Sequence, residues 1–345
     1  MYRNFFGLER YPFEVSPDPS FLYTTGQHQE AIAGLYYGVT ARKGFMVLTG
    51  EVGTGKTLVV RCFLELLDQA AFDYAYVFNS CLSSEEFLRY VADDLGVRCG
   101  PTKSDLLLEF SRHLIERNRQ GRTAVLVVDE AQHLDNQVLE EVRLLTNLET
   151  PRGKLLQIIL AGQPELQSRL ESPELRQLKQ RVTLRFRLRP FSRQETTAYV
   201  WRRLELAGDG QRPIFTRQAL DRVFAFSAGI PRLINTLCDN AMLSAFSLGK
   251  FPVGAEQVEE AASDLQLSAG AVPAETPEEP PAEGAGAPPS GDETAAPGSE
   301  PPAASTGTPL LSSGAPPPAR PRRQRNRRWR QTVGPEVQQG GQTQP

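Results

Sequence analysis

The run Gly50-Glu51-Val52-Gly53-Thr54-Gly55-Lys56-Thr57 follows directly on the apolar stretch Phe45-Met46-Val47-Leu48-Thr49, and this pairing constrains the chain more than any other feature. A short apolar run bounded by Gly44 and Gly50 predicts a strand buried on both faces, and residues 55–67 read as a helix. Strand, glycine-rich turn and helix in that order call for a parallel sheet with helices packed on it. The same order makes an anion site, because the glycines let backbone N–H groups curl around phosphate oxygens and the helix N-terminus adds positive potential. Residues 50–57 fit the pattern G-x-x-x-x-G-K-[ST], in which Lys56 reaches the β and γ phosphates and Thr57 ligates Mg2+.

Strands and helices go on alternating downstream. Residues 74–78, 123–128, 155–160 and 182–188 read as strands; 27–40, 84–95, 103–118 and 172–180 read as helices. Asp135 is placed to cap a further helix whose face carries Val138, Leu139, Val142 and Leu145. The predicted architecture is therefore α/β, a doubly wound parallel sheet with helices on both faces. At the end of the strand 123–128 stand two carboxylates, Asp129 and Glu130. A solvated strand end explains one such pair taken alone. Paired with the glycine-rich loop, Asp129 suits holding the Mg2+ through water and Glu130 suits the polarisation of an attacking water, with their strand expected beside the first one.

After Pro190 no further strands are expected. Ser192-Arg193-Gln194-Glu195 is a capping box, Thr216 caps a second helix, Pro231 sits in the first turn of a third, and 253–265 is a fourth. The expected organisation is an irregular aromatic and proline-rich arm over 1–26, a nucleotide-binding domain over 27–190 and a small all-α lid over 191–263. From 264 to 345 there are 16 prolines and only eight Val, Ile, Leu, Met, Phe, Trp or Tyr in 82 residues, too little apolar surface to offset the entropy of ordering. This stretch divides by charge. Residues 264–319 form a Pro/Ala/Glu-rich linker with eight acids and no Lys or Arg, and 320–345 form a tail with seven arginines between Arg320 and Arg330. The net charge of −3 hides that reversal, so an anionic partner is not excluded. The four cysteines, Cys62, Cys81, Cys99 and Cys238, lack metal-ligand spacing, which argues against a zinc ribbon or a disulfide framework and for a reducing, cytoplasmic location. No stretch of 18 apolar residues is present, so no transmembrane segment is expected.

These motifs together resemble the AAA+ ATPases, in particular the general secretion pathway protein A type (ExeA/GspA), with relatives among the TniB and MuB transposition ATPases. The resemblance covers about residues 1 to 262. Phe5-Phe6-Gly7-Leu8, Pro12-Phe13, Pro17-Asp18-Pro19 and His28-x-Glu30-Ala31 look like the N-terminal signature of the secretion type, and Asp129-Glu130-Ala131-Gln132 looks like its extended Walker B motif. The resemblance implies ATP and Mg2+ as cofactors, hydrolysis at the interface of a homo-oligomer, and a protein client in secretion or cell-envelope assembly. It also implies roles for individual residues. Gln163 follows the fourth expected strand, where a sensor 1 side chain orients the lytic water; an amide capping the Pro164 turn is the other reading. Arg181 or Arg176 would be the arginine finger, with Arg181 preferred because it directly precedes the strand 182–188; for either one a solvated charge on a helix face is the other reading. Arg232, in Gly229-Ile230-Pro231-Arg232, is similar to sensor 2. Tyr23 and His28 would lie near the adenine, or serve ordinary packing.

Secretion-type members commonly continue into a transmembrane helix and a periplasmic peptidoglycan-binding domain, neither of which is seen here, so the expectation is against direct anchoring to the cell wall. The spaced arginines and Trp329 of 320–330 instead suit DNA, RNA or an anionic membrane surface, with a peripheral position at the inner membrane, or a tail folded back on the preceding acids. Two further functional classes stay open. One is an ATP-dependent DNA-binding regulator of the transposition type, and the other is a nucleotide-gated scaffold with negligible hydrolysis.

Overall fold

The computed structural model describes residues 2–14, 23–78, 82–98, 100–151, 153–208 and 212–269. Pro17-Asp18-Pro19, Cys81, Cys99, most of the Pro/Ala/Glu-rich stretch and the arginines of 320–330 lie outside them. In chain order the strands are β1 (Phe45–Gly50), β2 (Phe72–Val77), β3 (Thr123–Val128), β4 (Glu149–Thr150), β5 (Gly153–Lys154), β6 (Leu156–Gly162) and β7 (Leu184–Leu188). Five of these form a parallel sheet in the order β2-β3-β6-β1-β7, and β4 and β5 form a separate small hairpin that the sequence did not signal.

Every residue of β1, β3 and β6 is buried, as their continuous apolar runs require. Alternation then sorts the side chains into two cores. Phe45, Val47, Leu126, Val128, Ile158 and Leu160 face one layer that contains α4 (Ser84–Asp94), α5 (Lys103–Arg119) and α6 (Asn136–Leu145). Met46, Leu48, Val125, Val127, Ile159 and Ala161 face the other, made by α2 (Gly26–Thr40) and α3 (Lys56–Leu66). Asp135 occupies the N-cap position of α6, although its side chain makes no capping bond. Where one helix was expected over 172–180, the chain forms a 3-10 turn (Pro173–Leu175) and then the short α8 (Arg176–Lys179), and they are preceded by α7 (Pro164–Leu170), which the sequence did not signal. Pro164 opens α7 because a first-turn residue needs no N–H donor, and Leu166 and Leu170 bury its inner side.

Beyond β7 the described chain is helical, with α9 (Arg193–Leu206), α10 (Arg217–Ser227), α11 (Pro231–Ser247) and α12 (Ala255–Asp264). Ser192 and Glu195 exchange the two bonds of a capping box, and the Thr216 hydroxyl accepts from the Ala219 N–H, each cap contributing about 1 kcal/mol. These helices share their own core, which includes Val200, Leu204, Phe215, Val223, Ile234 and Leu237. Leu265 and Leu267, on either side of a left-handed Gln266, also pack on it, so the packed body runs slightly past the composition break at 264.

The N-terminal arm departs from expectation by opening with a helical turn, α1 (Tyr2–Phe6). Tyr2 and Phe6 are four residues apart, so one turn of helix puts both rings on one side, and both enter the helical core together with Leu8 and Phe13. Phe13 is 1% exposed and meets Phe215 edge-to-face at 6.1 Å. Phe13→Ala is expected to cost about 3–5 kcal/mol in urea unfolding; a loss below about 1 kcal/mol would mean that the arm is not part of this core.

Candidate active site

The loop between β1 and α3 has the backbone that its glycines permit. Gly53 and Gly55 have φ of +83° and +97°, and a β-carbon on Gly53 would stand 2.7 Å from Cβ of Arg232. Lys56 begins α3, is 5% exposed, and donates from Nζ to the carbonyl oxygens of Gly50 at 2.8 Å and Glu51 at 3.0 Å. Burial pulls its ammonium below the usual lysine range, while Glu130, Asp129 and Glu51 oppose that shift. Thr54 closes the loop by donating to the Glu51 carbonyl at 2.8 Å, whereas Val52 is exposed.

The strand bearing Asp129 does not lie beside β1, because β6 is inserted between them. Three strand ends therefore meet, carrying Gly50 after β1, Gln163 after β6 and Asp129-Glu130 after β3. The gap is bridged by the Thr57 hydroxyl, which donates to Asp129 Oδ2 at 2.8 Å. Asp129 is 4% exposed; its Oδ1 accepts the Glu130 N–H at 2.9 Å, and its Oδ2 also accepts the Tyr76 hydroxyl at 2.9 Å. Burial and the adjacent Asp129 charge push the Tyr76 phenol far above its usual range, so it remains a donor.

Glu130 has φ 52° and ψ 37°, a left-handed conformation that costs a non-glycine residue on the order of 1 kcal/mol or more. This bend turns its carboxylate toward the cleft, where Oε2 accepts the side-chain amides of Gln132 at 2.6 Å and Gln163 at 3.3 Å. Gln132 in turn accepts the Gln163 backbone N–H at 3.0 Å. The Gln163 side chain makes no capping bond at α7 and faces Glu130 instead. Burial alone would raise the Glu130 pKa, but the two amides and Lys56 outweigh it and hold the carboxyl below its usual range.

The helical part closes the cleft from above. The Arg232 N–H donates to the Gly53 carbonyl at 3.3 Å, and Pro231, Arg232 and Asn235 of α11 line the cleft with residues 52–58 and Glu130. Tyr23, His28, Phe191 and Tyr199 form an aromatic wall, with Phe191 5.9 Å from Tyr23, 5.8 Å from His28 and 5.3 Å from Tyr199. His28 Nε2 faces the Thr54 carbonyl at 3.2 Å, which can only accept, so that nitrogen carries the proton and Nδ1 accepts the Thr25 hydroxyl at 2.7 Å. Burial lowers the His28 pKa and keeps the ring neutral at pH 7.

Tyr76, Tyr199, Arg203 and Asn235 escaped the sequence reading. Helical spacing is the signal for two of them: Asn235 stands three residues after Arg232, and Arg203 four after Tyr199, whose hydroxyl it reaches at 2.7 Å. Arg176 and Arg181 do not line this cleft. They are exposed, as are Lys179, Arg185, Arg187 and Arg189, on a stretch from 176 to 189 with no acidic residue.

No cluster of three or more His, Cys, Asp or Glu among the described residues is placed to hold a metal ion. The hard oxygens of Thr57 and Asp129 nevertheless fit Mg2+, which keeps several waters and takes its remaining ligands from phosphates. The donor set thus suits a cation that arrives with a nucleotide.

This fold and this site define a P-loop protein of the AAA type, and residues 39–170 match the AAA domain family. More particularly, the chain is 48% identical to the general secretion pathway protein A of Aeromonas hydrophila over 258 residues, 73% of this chain and 46% of that protein. It is 31% identical to the ATP-dependent target DNA activator B of Escherichia phage Mu over 140 residues, 40% of this chain and 42% of that one. The ORC2 protein of Aeropyrum pernix shares the fold, with a TM-score of 0.55, 15% identity and coverage of 74% of this chain and 72% of that one. The chain spans about half the length of the curated relatives it matches. Together the AAA domain, the loop and the paired carboxylates support ATPase activity. No helix among the described residues is long and apolar enough to cross a membrane.

Gln163→Ala removes one donor that favours the ionised Glu130. If turnover needs that carboxylate ionised, activity falls as pH drops through its pKa, and loss of a donor raises the pKa; the acid limb of the kcat profile is expected to move to higher pH. An unmoved limb would detach Gln163 from Glu130. Separately, Glu130→Gly relaxes the left-handed backbone and is expected to raise the melting temperature by about 2–4 °C while abolishing turnover; a lower melting temperature would show that the Glu130 side chain stabilises the fold more than its backbone strains it.

Proposed function

We propose that the chain binds Mg-ATP between the sheet domain, 27–190, and the helical lid, 191–263, and hydrolyses it at the interface between copies of itself to assemble or remodel a secretion or cell-envelope complex. What carries the reading is the meeting of Lys56, Thr57 and Glu130 in one cleft that Arg232 closes, with Asp129 bonded to Thr57 and Gln163 to Glu130. Residues 50–57 wrap the phosphates, with Lys56 exchanging its two carbonyl partners for phosphate oxygens. Thr57 and Asp129 are the residues that would hold magnesium, which when bound neutralises phosphate charge. Glu130, kept ionised by its amide donors, accepts a hydrogen bond from the attacking water, and Gln163 fixes where that water sits. Arg232 of the lid reaches the γ-phosphate and relays its loss to the helices.

Arg181 completes a neighbour's site rather than its own, which suits its exposure at the head of β7 on a face rich in cations. Similarity to the secretion protein supports an envelope client and a cytoplasmic location, peripheral to the inner membrane. The second reading, a DNA-binding regulator, is supported by the similarity to the target DNA activator.

The test is steady-state ATP turnover by the full chain and by a chain ending at Ala269, with and without duplex DNA, using Lys56→Ala as the blank. Turnover that depends on Lys56 and ignores DNA is expected; stimulation by DNA that vanishes with the tail would replace the envelope reading with the second one. For the interface, Arg181→Ala and Glu130→Gln are each expected to lower turnover at least tenfold. Mixing the two is expected to restore part of it, since some interfaces then pair an intact Glu130 with an intact Arg181. Failure to complement would place Arg181 outside the neighbour's site.

A further inference from the structure

Asp129 has three donors on its two oxygens before any cation is present. Its own following N–H holds Oδ1, and Oδ2 is shared by Thr57 from α3 and Tyr76 from β2. Sheet geometry explains how β2 reaches so far into the site. Tyr76 pairs with Val127 in the parallel register of β2 and β3, and Asp129 lies two residues beyond Val127 on the same face. The Tyr76 side chain, 8% exposed, runs along that face beneath α3 and ends at the carboxylate. A phenol in this layer without a partner would be costly, and an apolar side chain would fill the space without one.

We propose that Tyr76 is a positioning residue of the nucleotide site, fixing the Asp129 carboxylate in the orientation that receives the cation. This rests on the Mg-ATP reading above. The Thr57 hydroxyl can offer a lone pair to the cation while its O–H stays on Oδ2, so this one side chain serves both cation and carboxylate. Tyr76 meets the same Oδ2 from β2, on the sheet, and its grip does not need to change when the cation engages Thr57. It therefore holds the rotamer of Asp129 independently of the hydroxyl that the cation engages. The chemical consequence is specific. Tyr76 acts on the response to the divalent cation and leaves the cation-free affinity for the nucleotide alone.

The test uses the full chain and a fluorescent ATP analogue, with binding measured in EDTA and then across a magnesium titration. For Tyr76→Phe, affinity in EDTA is expected within about twofold of the parent, and the magnesium concentration giving half the response is expected to rise about threefold to tenfold, the net scale of one hydrogen bond. The steady-state magnesium requirement should rise in parallel. In an Asp129→Asn background the same substitution should change the magnesium response less than about twofold. Tyr76→His, which returns a ring N–H, should recover part of the response, and it carries the comparison if the phenylalanine variant folds poorly. The inference is overturned if the magnesium response stays within about twofold or tightens, or if affinity falls equally in EDTA, which would mark Tyr76 as packing alone. A parent chain whose nucleotide binding ignores magnesium would instead overturn the Mg-ATP reading itself, whatever Tyr76 does.

Discussion

A parallel sheet covered by helices on both faces has no free surface for chemistry except the ends of its strands, and that constraint organises this molecule. The side chains of β1, β3 and β6 are spent on two apolar cores, so polar groups gather where the strands stop. Because all the strands of this sheet point the same way, their carboxyl ends lie along one edge, and a loop, an amide and two carboxylates from segments more than 100 residues apart meet there. The order of strands decides which groups become neighbours. With β6 between β1 and β3, an amide from a third strand end stands against Glu130.

The helical part is fixed to this edge by backbone as well as side chains. The Gly53 carbonyl accepts from Arg232 at the cleft, and at the entry to the helical part the Phe191 N–H donates to the Gly229 carbonyl at 2.8 Å. Gly229 has φ of +75°, and a β-carbon there would stand 1.9 Å from the Phe191 carbonyl oxygen, so no larger residue fits that crossing. The N-terminal arm follows the same logic. It gives its aromatic rings to the helical core, while Tyr23 and His28 arrive at the cleft itself.

Much of this was legible in the sequence because the relevant signals are local. Residues 50–57 combine a glycine pattern with a preceding apolar run, Ser192 and Glu195 stand at capping-box spacing, and Pro231 marks a helix start. Asp129 and Glu130 were found because they end a strand whose period was clear. The strand order was not legible, since the pairing of β6 with both β1 and β3 is a long-range choice that no local spacing encodes. Tyr76 was hidden for a related reason. In Tyr74-Ala75-Tyr76-Val77 it looks like any strand aromatic, and its role exists only through the register with β3. The helix Pro164–Leu170 was missed because a proline after Gln163 reads equally well as a turn.

The outer edge of the sheet has one more consequence. Among the described residues, strand β7 leaves one side of its backbone without a sheet partner, an arrangement that in many proteins invites another strand to add and the assembly to grow. Here its outward positions are arginines, with Arg185 and Arg187 flanking Val47 and Thr49 of β1. Two such edges brought together would set guanidinium against guanidinium with no acid within the segment to compensate. Sheet extension through β7 is thereby disfavoured, and any association along this edge must run through side-chain charge, which ties its strength to ionic strength.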